Sequence, residues 1–355
     1  MNNIDKVKNA LKDKPYDAML ITGQASRLYT GGFNSSAGVF LITPTDAWFF
    51  VDPRYFEMAQ SKLTGAEILL VHKDTTFTGM INAKIDEAGI SSIGFEDGYT
   101  TYASYKEWSE KYKATLVPAQ KLMTELRAIK NRDDLEAMTK AQRVAEQSFE
   151  DILPLINNRI TEKELATELI YRMMKNGADD KGFDPIVVSG PRSSLPHGVP
   201  TNEQITDGFL TIDFGVKLDG WISDCTRTLC IGKPSDEMIK VYDTVLTAQK
   251  SALAIISAGI TGKDVDTAAR SVIEDAGYGD YFGHGLGHSI GLEVHEWPRA
   301  SQLSTDILSA GTVLTVEPGI YLPGRFGVRI EDTVYITDGG CENITKLPKN
   351  MIVID

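Results

Sequence analysis

The chain has 355 residues, 42% of them apolar and 24% charged, with a formal net charge of −13 at pH 7. These proportions suit a soluble globular protein of two domains, or one large one. The negative balance argues against nucleic acid or an anionic membrane as partner, because phosphate binding needs clustered Lys and Arg.

The polar start, MNNIDKVKNALKDKP, lacks the apolar core of a signal peptide. No apolar run approaches the roughly 20 residues of a membrane span. From there to about residue 120, short apolar runs alternate with helical patterns. DAMLIT (17–22), GVFLIT (38–43), AWFFVD (47–52), AEILLV (66–71) and SSIGF (91–95) read as strands. Segments near 2–13, 54–63, 76–88 and 102–113 read as helices. An α/β layer domain is expected. It carries no G-x-G-x-x-G and no Walker loop, so nothing marks a nucleotide site. His72 lies outside every motif and reads as structural or surface.

A long amphipathic helix begins near Arg132. Leu135, Met138, Ala141, Val144, Ala145, Phe149 and Leu153 form its apolar stripe. The domain boundary is placed just before it, at about 125, giving domains 1–125 and 126–355.

The second domain contains an internal echo. Ile160 to Thr167, ITEKELAT, returns as Ile260 to Thr267, ITGKDVDT. Each copy offers a Thr N-cap with an acid three residues on, Glu164 or Asp264. Each helix then runs to a glycine stop, Gly177 or Gly277. A duplicated α+β unit is expected, with pseudo-twofold symmetry and a site at the seam. The overall class is therefore α/β plus α+β.

Two acidic hairpins occupy matching places in the halves. Residues 209–231 turn at Leu218-Asp219-Gly220, and period-2 alternation puts Asp213 and Asp224 on one face. Cys225 points away. With Cys230 and Cys341 it makes neither a disulfide framework nor a zinc motif, so a reducing cytoplasm is the expected setting. Residues 311–336 carry Glu317 at the end of an apolar strand, with Arg329 and Glu331 sharing a face of the return strand. Buried like charges are costly unless a cation joins them. Four carboxylates and an imidazole suit Mn²⁺, Co²⁺ or Zn²⁺. Shared carboxylates would hold two such ions about 3.5–4 Å apart, an arrangement for hydrolysis.

Three of the five histidines, His284, His288 and His295, fall in YFGHGLGHSIGLEVHEWPR (281–299). Its glycines would each cost about 1 kcal/mol in a helix. The stretch reads as an irregular wall that aims imidazoles at the acids.

Taken in order, LPHG (195–198), TIDFG (211–215), SDCTRT (223–228), GHSIGLEVHE (287–296), TVEPGIY (315–321) and VRIED (328–332) resemble the motifs of the creatinase/prolidase/methionine-aminopeptidase metallopeptidases. GGFNSSAGVFLIT (31–43) and DPRYFEMA (52–59) resemble the small domain of the Xaa-Pro peptidase branch. The resemblance implies a pita-bread catalytic domain and removal of an N-terminal residue that precedes proline, by attack of a metal-activated water.

It also implies roles. Asp213 holds one metal, and Asp224 and Glu331 bridge both. His288 and Glu317 complete the second, Glu317 also relaying a proton. His197 and His295 contact the scissile peptide, with His284 flanking the substrate. Arg329 orients the acids beside the substrate. Arg299 clamps a dipeptide carboxylate or stands as a rim charge. Two divalent ions, Mn²⁺ first and Co²⁺ or Zn²⁺ next, are the implied cofactors. Small peptides with proline second are the implied substrates, and a homodimer the implied assembly. Leu292 and Trp297 would give the proline pocket an apolar wall. Methionine aminopeptidase, creatinase and the non-catalytic, partner-binding relatives of the fold are the rivals. They are disfavoured by the N-terminal domain, in the first case, and by the complete ligand set, in the others.

Overall fold

A computed structural model of the chain describes residues 2–354. Contacts divide it into two compact units, one ending at Arg127 and the other starting at Ala128. The division falls inside a helix, Gln120–Ala128, that the sequence pattern did not reveal.

The first unit is built on a six-stranded mixed sheet in the order Glu67–Leu70, Ala47–Val51, Val39–Ile42, Ala18–Ile21, Ser92–Phe95, Thr115–Pro118. Its apolar runs bury Leu20, Leu41, Phe50 and Ile93 against Ile81 and Ile85 of the helix Phe77–Ala88. The last strand and a helix at Gln24–Gly31 were not anticipated. His72 is exposed here.

In the second unit, the helix Arg132–Ile152 starts at a capping box between Asn131 and Asp134. It buries Leu135, Met138, Ala141, Ala145 and Phe149, while Val144 and Leu153 are only half-buried. Phe149 stacks on Phe214 at 5.2 Å between ring centroids. That contact fixes the strand on which Asp213 sits.

The internal echo is structural. Thr161 and Thr261 cap two 14-residue helices, Glu162–Lys175 and Gly262–Asp275. Each helix ends at a glycine with positive φ, 107° at Gly177 and 85° at Gly277. Each end closes with a bond from the next amide, Ala178 N to Met173 O and Tyr278 N to Ile273 O, both 3.0 Å. The halves contribute a four-stranded sheet holding the strands Gly208–Phe214 and Cys225–Ile231, and a five-stranded sheet holding Val313–Val316 and Asp332–Thr337.

The first hairpin turns at Asp219-Gly220, with φ of 51° and 87°. Positive φ at both central residues is the tight turn that matches strand twist. It pairs Lys217 with Ile222 and, further down, Asp213 with Thr226. The second hairpin pairs Val316 with Asp332 and Gly319 with Arg329. The same register sets Glu317 across from Glu331, at the break between two sheets. Among the described residues, no helix is long and apolar enough to cross a membrane.

Candidate metal centre

The acids meet where the hairpins converge. One oxygen each from Asp213, Asp224 and Glu331 lie within 4.8 Å of one another. His288 Nε2 is 3.4 Å from Glu317 Oε1 and 3.8 Å from Asp224 Oδ2. Asp224 thus stands close both to Asp213 and Glu331 and to His288. Asp224 and Glu331 are almost wholly buried.

The threonines beside the acids tie the halves together. Thr226 Oγ1 donates to Glu331 Oε2 at 2.7 Å, and Thr333 Oγ1 donates to the Asp224 carbonyl at 3.0 Å. The strands carry a matched pattern, Thr211-Ile212-Asp213-Phe214-Gly215 against Thr315-Val316-Glu317-Pro318-Gly319. Gly215 and Gly287 let backbones touch: a Cβ would lie 1.9 Å from Ser223 O in the first case and 2.0 Å from Thr315 O in the second. The histidine-rich wall is partly strand, Gly287–Ser289 and Glu296–Ala300. It is clamped from the helix Gly262–Asp275. Arg270 donates to the Phe282 and His284 carbonyls at 2.8 Å, and Asp266 accepts from Leu286 N at 2.9 Å.

The electrostatics call for cations. Burial, followed by the charges of Glu331, Asp213 and Glu317, pushes the Asp224 carboxyl well above the usual carboxylate range. Burial and the charges of Glu317 and Asp213 do the same to Glu331. Burial raises Glu317 to about 7. Burial depresses His288 and His284 to about 4, and it lowers His295 as well. His288 Nδ1 lies 3.1 Å from Ser289 O, so Nδ1 carries the proton and Nε2 presents a lone pair. Asp213 Oδ1 is buried with no hydrogen-bond partner. An orphaned carboxylate oxygen, a free imidazole nitrogen and crowded acids fit divalent metal.

His197, His284, His295, Arg299 and Arg329 line the same cavity as the five candidate ligands, with a volume of about 1070 Å³. Arg329 is 3% exposed. Its donors reach Asp213 Oδ2 (2.6 Å), Thr226 Oγ1 (3.1 Å), the Pro196 carbonyl (3.1 Å) and Tyr321 Oη (2.8 Å). His284 also has both nitrogens engaged, Nδ1 with Gly285 O at 2.8 Å and Nε2 with Tyr321 Oη at 3.0 Å. A neutral ring whose Nδ1–H meets a carbonyl must accept at Nε2, so Tyr321 donates there and accepts from Arg329.

Sequence reasoning gave Tyr321 no role. Period-2 alternation from Glu317 was the available signal, since Gly319 and Tyr321 follow on the same face. Gly319 makes the room: its Cβ would sit 2.5 Å from the Tyr321 hydroxyl. The expected apolar wall of Leu292 and Trp297 is corrected. Neither lines the cavity, where Val294 and Pro196 stand instead. Leu292 N bonds Glu296 Oε1 at 3.1 Å, and Glu296 is held at 2.8 Å by buried Lys130, which draws the turn inward.

A mixed-sheet, two-halved domain with this acid and imidazole cluster defines a metallohydrolase. Residues 136–338 match the metallopeptidase family M24, and residues 3–129 match the creatinase/prolidase N-terminal domain. The chain belongs to metallopeptidase family M24 and has its two-domain pita-bread fold. It is 40% identical to an Xaa-Pro dipeptidase from Bacillus anthracis of solved structure, with a TM-score of 0.96 over 99% of both chains. It is 36% identical to an X-Pro aminopeptidase from Thermotoga maritima, with a TM-score of 0.92 over 99% of this chain and 100% of the other. An Xaa-Pro dipeptidase from Pyrococcus furiosus is 34% identical over 98% of this chain and 99% of its own length.

Proposed function

We propose that this metallopeptidase cleaves the bond before proline in short peptides with a free amino end, using a centre of two divalent cations. The observation that carries the reading is that Asp224 lies close both to Asp213 and Glu331 and to His288, which in turn lies close to Glu317, within one cavity that also presents His197 and His295. The names of the relatives, Xaa-Pro dipeptidase and X-Pro aminopeptidase, support the substrate class.

Asp213, Asp224, His288, Glu317 and Glu331 would hold the ions, and the oxygen-rich set favours Mn²⁺ before Co²⁺ or Zn²⁺. Bound there, they would polarise the scissile carbonyl and bring the pKa of water towards neutral. Glu317 takes the proton of the attacking water and returns it to the leaving nitrogen. His197 and His295 donate to the oxyanion that forms on the carbonyl. Arg329 keeps Asp213 oriented through their 2.6 Å bond. Proline lacks an N–H and fixes φ near −65°, so its pocket can be rigid and need not accept a hydrogen bond from that nitrogen.

A second reading, an aminopeptidase acting on longer peptides, is favoured by the size of the cavity. At about 1070 Å³ it meets the upper end of the range for small-ligand sites, roughly 300–1,000 Å³. The test is hydrolysis of Ala-Pro, Ala-Pro-Ala, Ala-Ala and Met-Ala-Ser by Mn²⁺-loaded protein. Cleavage of Ala-Pro alone supports the dipeptidase, and cleavage of the tripeptide as well supports the aminopeptidase. Preferential release of Met from Met-Ala-Ser would overturn both.

A further inference from the structure

His295 is the last residue of the loop that joins the strands Gly287–Ser289 and Glu296–Ala300. Among the described residues, no hydrogen bond reaches its ring. The ring meets that of His288 edge to face, 4.4 Å between centroids. Where the His295 imidazole sits therefore depends on the backbone that carries it.

That backbone is held by the next residue. Glu296 turns its side chain back into the loop, where Oε1 accepts from Leu292 N at 3.1 Å and Glu293 N at 3.3 Å. Its Oε2 meets Lys130 Nζ at 2.8 Å, and the two side chains are only 5% and 1% exposed. Lys130 is itself pinned. Its N donates to Gly311 O at 2.8 Å, and its carbonyl accepts from Tyr335 Oη at 3.4 Å. Gly291 permits the close approach, since a Cβ there would lie 2.6 Å from Glu296 Oε2 and 3.0 Å from Lys130 Cε. Neither Lys130 nor Glu296 lines the cavity. A buried ion pair is weak evidence for stability, because apolar residues of similar volume often serve as well. What this pair adds is one fixed path for the loop that ends at His295.

We propose that Lys130 and Glu296 are positioning residues that hold His295 where it can donate to the reacting carbonyl. This rests on the Xaa-Pro peptidase reading, which gives His295 that task.

The test uses Lys130→Met/Glu296→Gln. It removes both charges together, so no unpaired charge stays buried, and the Gln oxygen still suits the two loop amides. On Ala-Pro, kcat of the metal-loaded variant should fall about tenfold or more with KM little changed, since misplacing a catalytic group by a small distance costs up to about 10²-fold. In a His295→Ala background the same two substitutions should lower kcat by less than about twofold, because the donor they position is already gone. The histidine Cε1–H NMR signals of the metal-free protein give a readout independent of activity. The His295 signal, assigned by its loss in His295→Ala, should shift or split in the double variant, while that of exposed His72 stays in place. An equal fall in kcat in both backgrounds, or an unmoved His295 signal, would overturn the positioning while leaving the peptidase reading intact. Failure of the metal-loaded wild type to cleave any Xaa-Pro peptide would overturn the parent reading, and the His295 signal would then decide whether the pair holds the ring.

Discussion

Arg329 and Asp213 meet through a 2.6 Å bond from Nη2 to Oδ2, and the other oxygen of that carboxylate, Oδ1, is buried with no hydrogen-bond partner. A buried acceptor left unpaired costs about 1–3 kcal/mol. Removing Arg329 would strand Asp213 among three other acids. Breaking a buried pair by deleting one partner costs roughly 3–5 kcal/mol. Arg329→Met should therefore lower the unfolding free energy of the metal-free protein by about that amount, read from urea melts. An unchanged midpoint would show that the pair does not hold the site.

The histidines should separate by role. His288→Ala should lose bound metal, because its Nε2 faces Glu317 and Asp224. His197→Ala and His295→Ala should keep their metal and lose turnover by a factor on the order of 10²–10³, the scale of one oxyanion donor. Metal analysis alongside kinetics checks this. Equal metal loss in all three variants would mean that the roles are misassigned.

Metal should stabilise the fold more as pH rises. Glu317 is raised above its ordinary value to about 7. In the metal-free protein, its contribution to stability is present below its unfolded pKa, about 4.5, and is lost as pH rises through about 7. His284 and His288, lowered to about 4, act in the opposite sense only below about 6.5, so the window above that isolates the acids. Cations displace the carboxyl protons, and binding strengthens with pH. The rise in melting temperature on adding Mn²⁺ should be larger at pH 8 than at pH 6.5, and Glu317→Gln should reduce the difference, the raised Asp224 and Glu331 carboxyls keeping the rest. A shift independent of pH in the wild type would contradict the assignment.

Phe214→Ala tests how the fold positions the site. Its ring is fully buried and stacks on Phe149. The substitution should cost about 3–5 kcal/mol, the usual scale for emptying a buried aromatic site. Thermal melts measure it, and a loss under 1 kcal/mol would show that the stack is dispensable.

Much of the site was legible because hairpin geometry is local. Asp219-Gly220 fixes the turn, and alternation then carries Asp213 and Asp224 to one face. The repeated helix caps at Thr161 and Thr261 revealed the two halves. What stayed hidden depends on contacts distant in sequence. The Tyr321 hydroxyl matters only because Arg329 and His284 converge on it. Leu292 was misread because the buried Lys130–Glu296 pair, 166 residues apart, turns that segment inward. The helix Gln24–Gly31 was missed because its glycine and serine-threonine content resembles loop composition and tertiary burial overrides it.

The most direct test of the proposed two-metal centre is the number of divalent ions bound per chain, measured by titrating Mn²⁺ into the metal-free wild type and Asp224→Asn. Two ions should bind the wild type. The variant should bind fewer, because Asp224 is proposed to serve both ions. A single ion in the wild type, or two in Asp224→Asn at unchanged affinity, would contradict the centre described here.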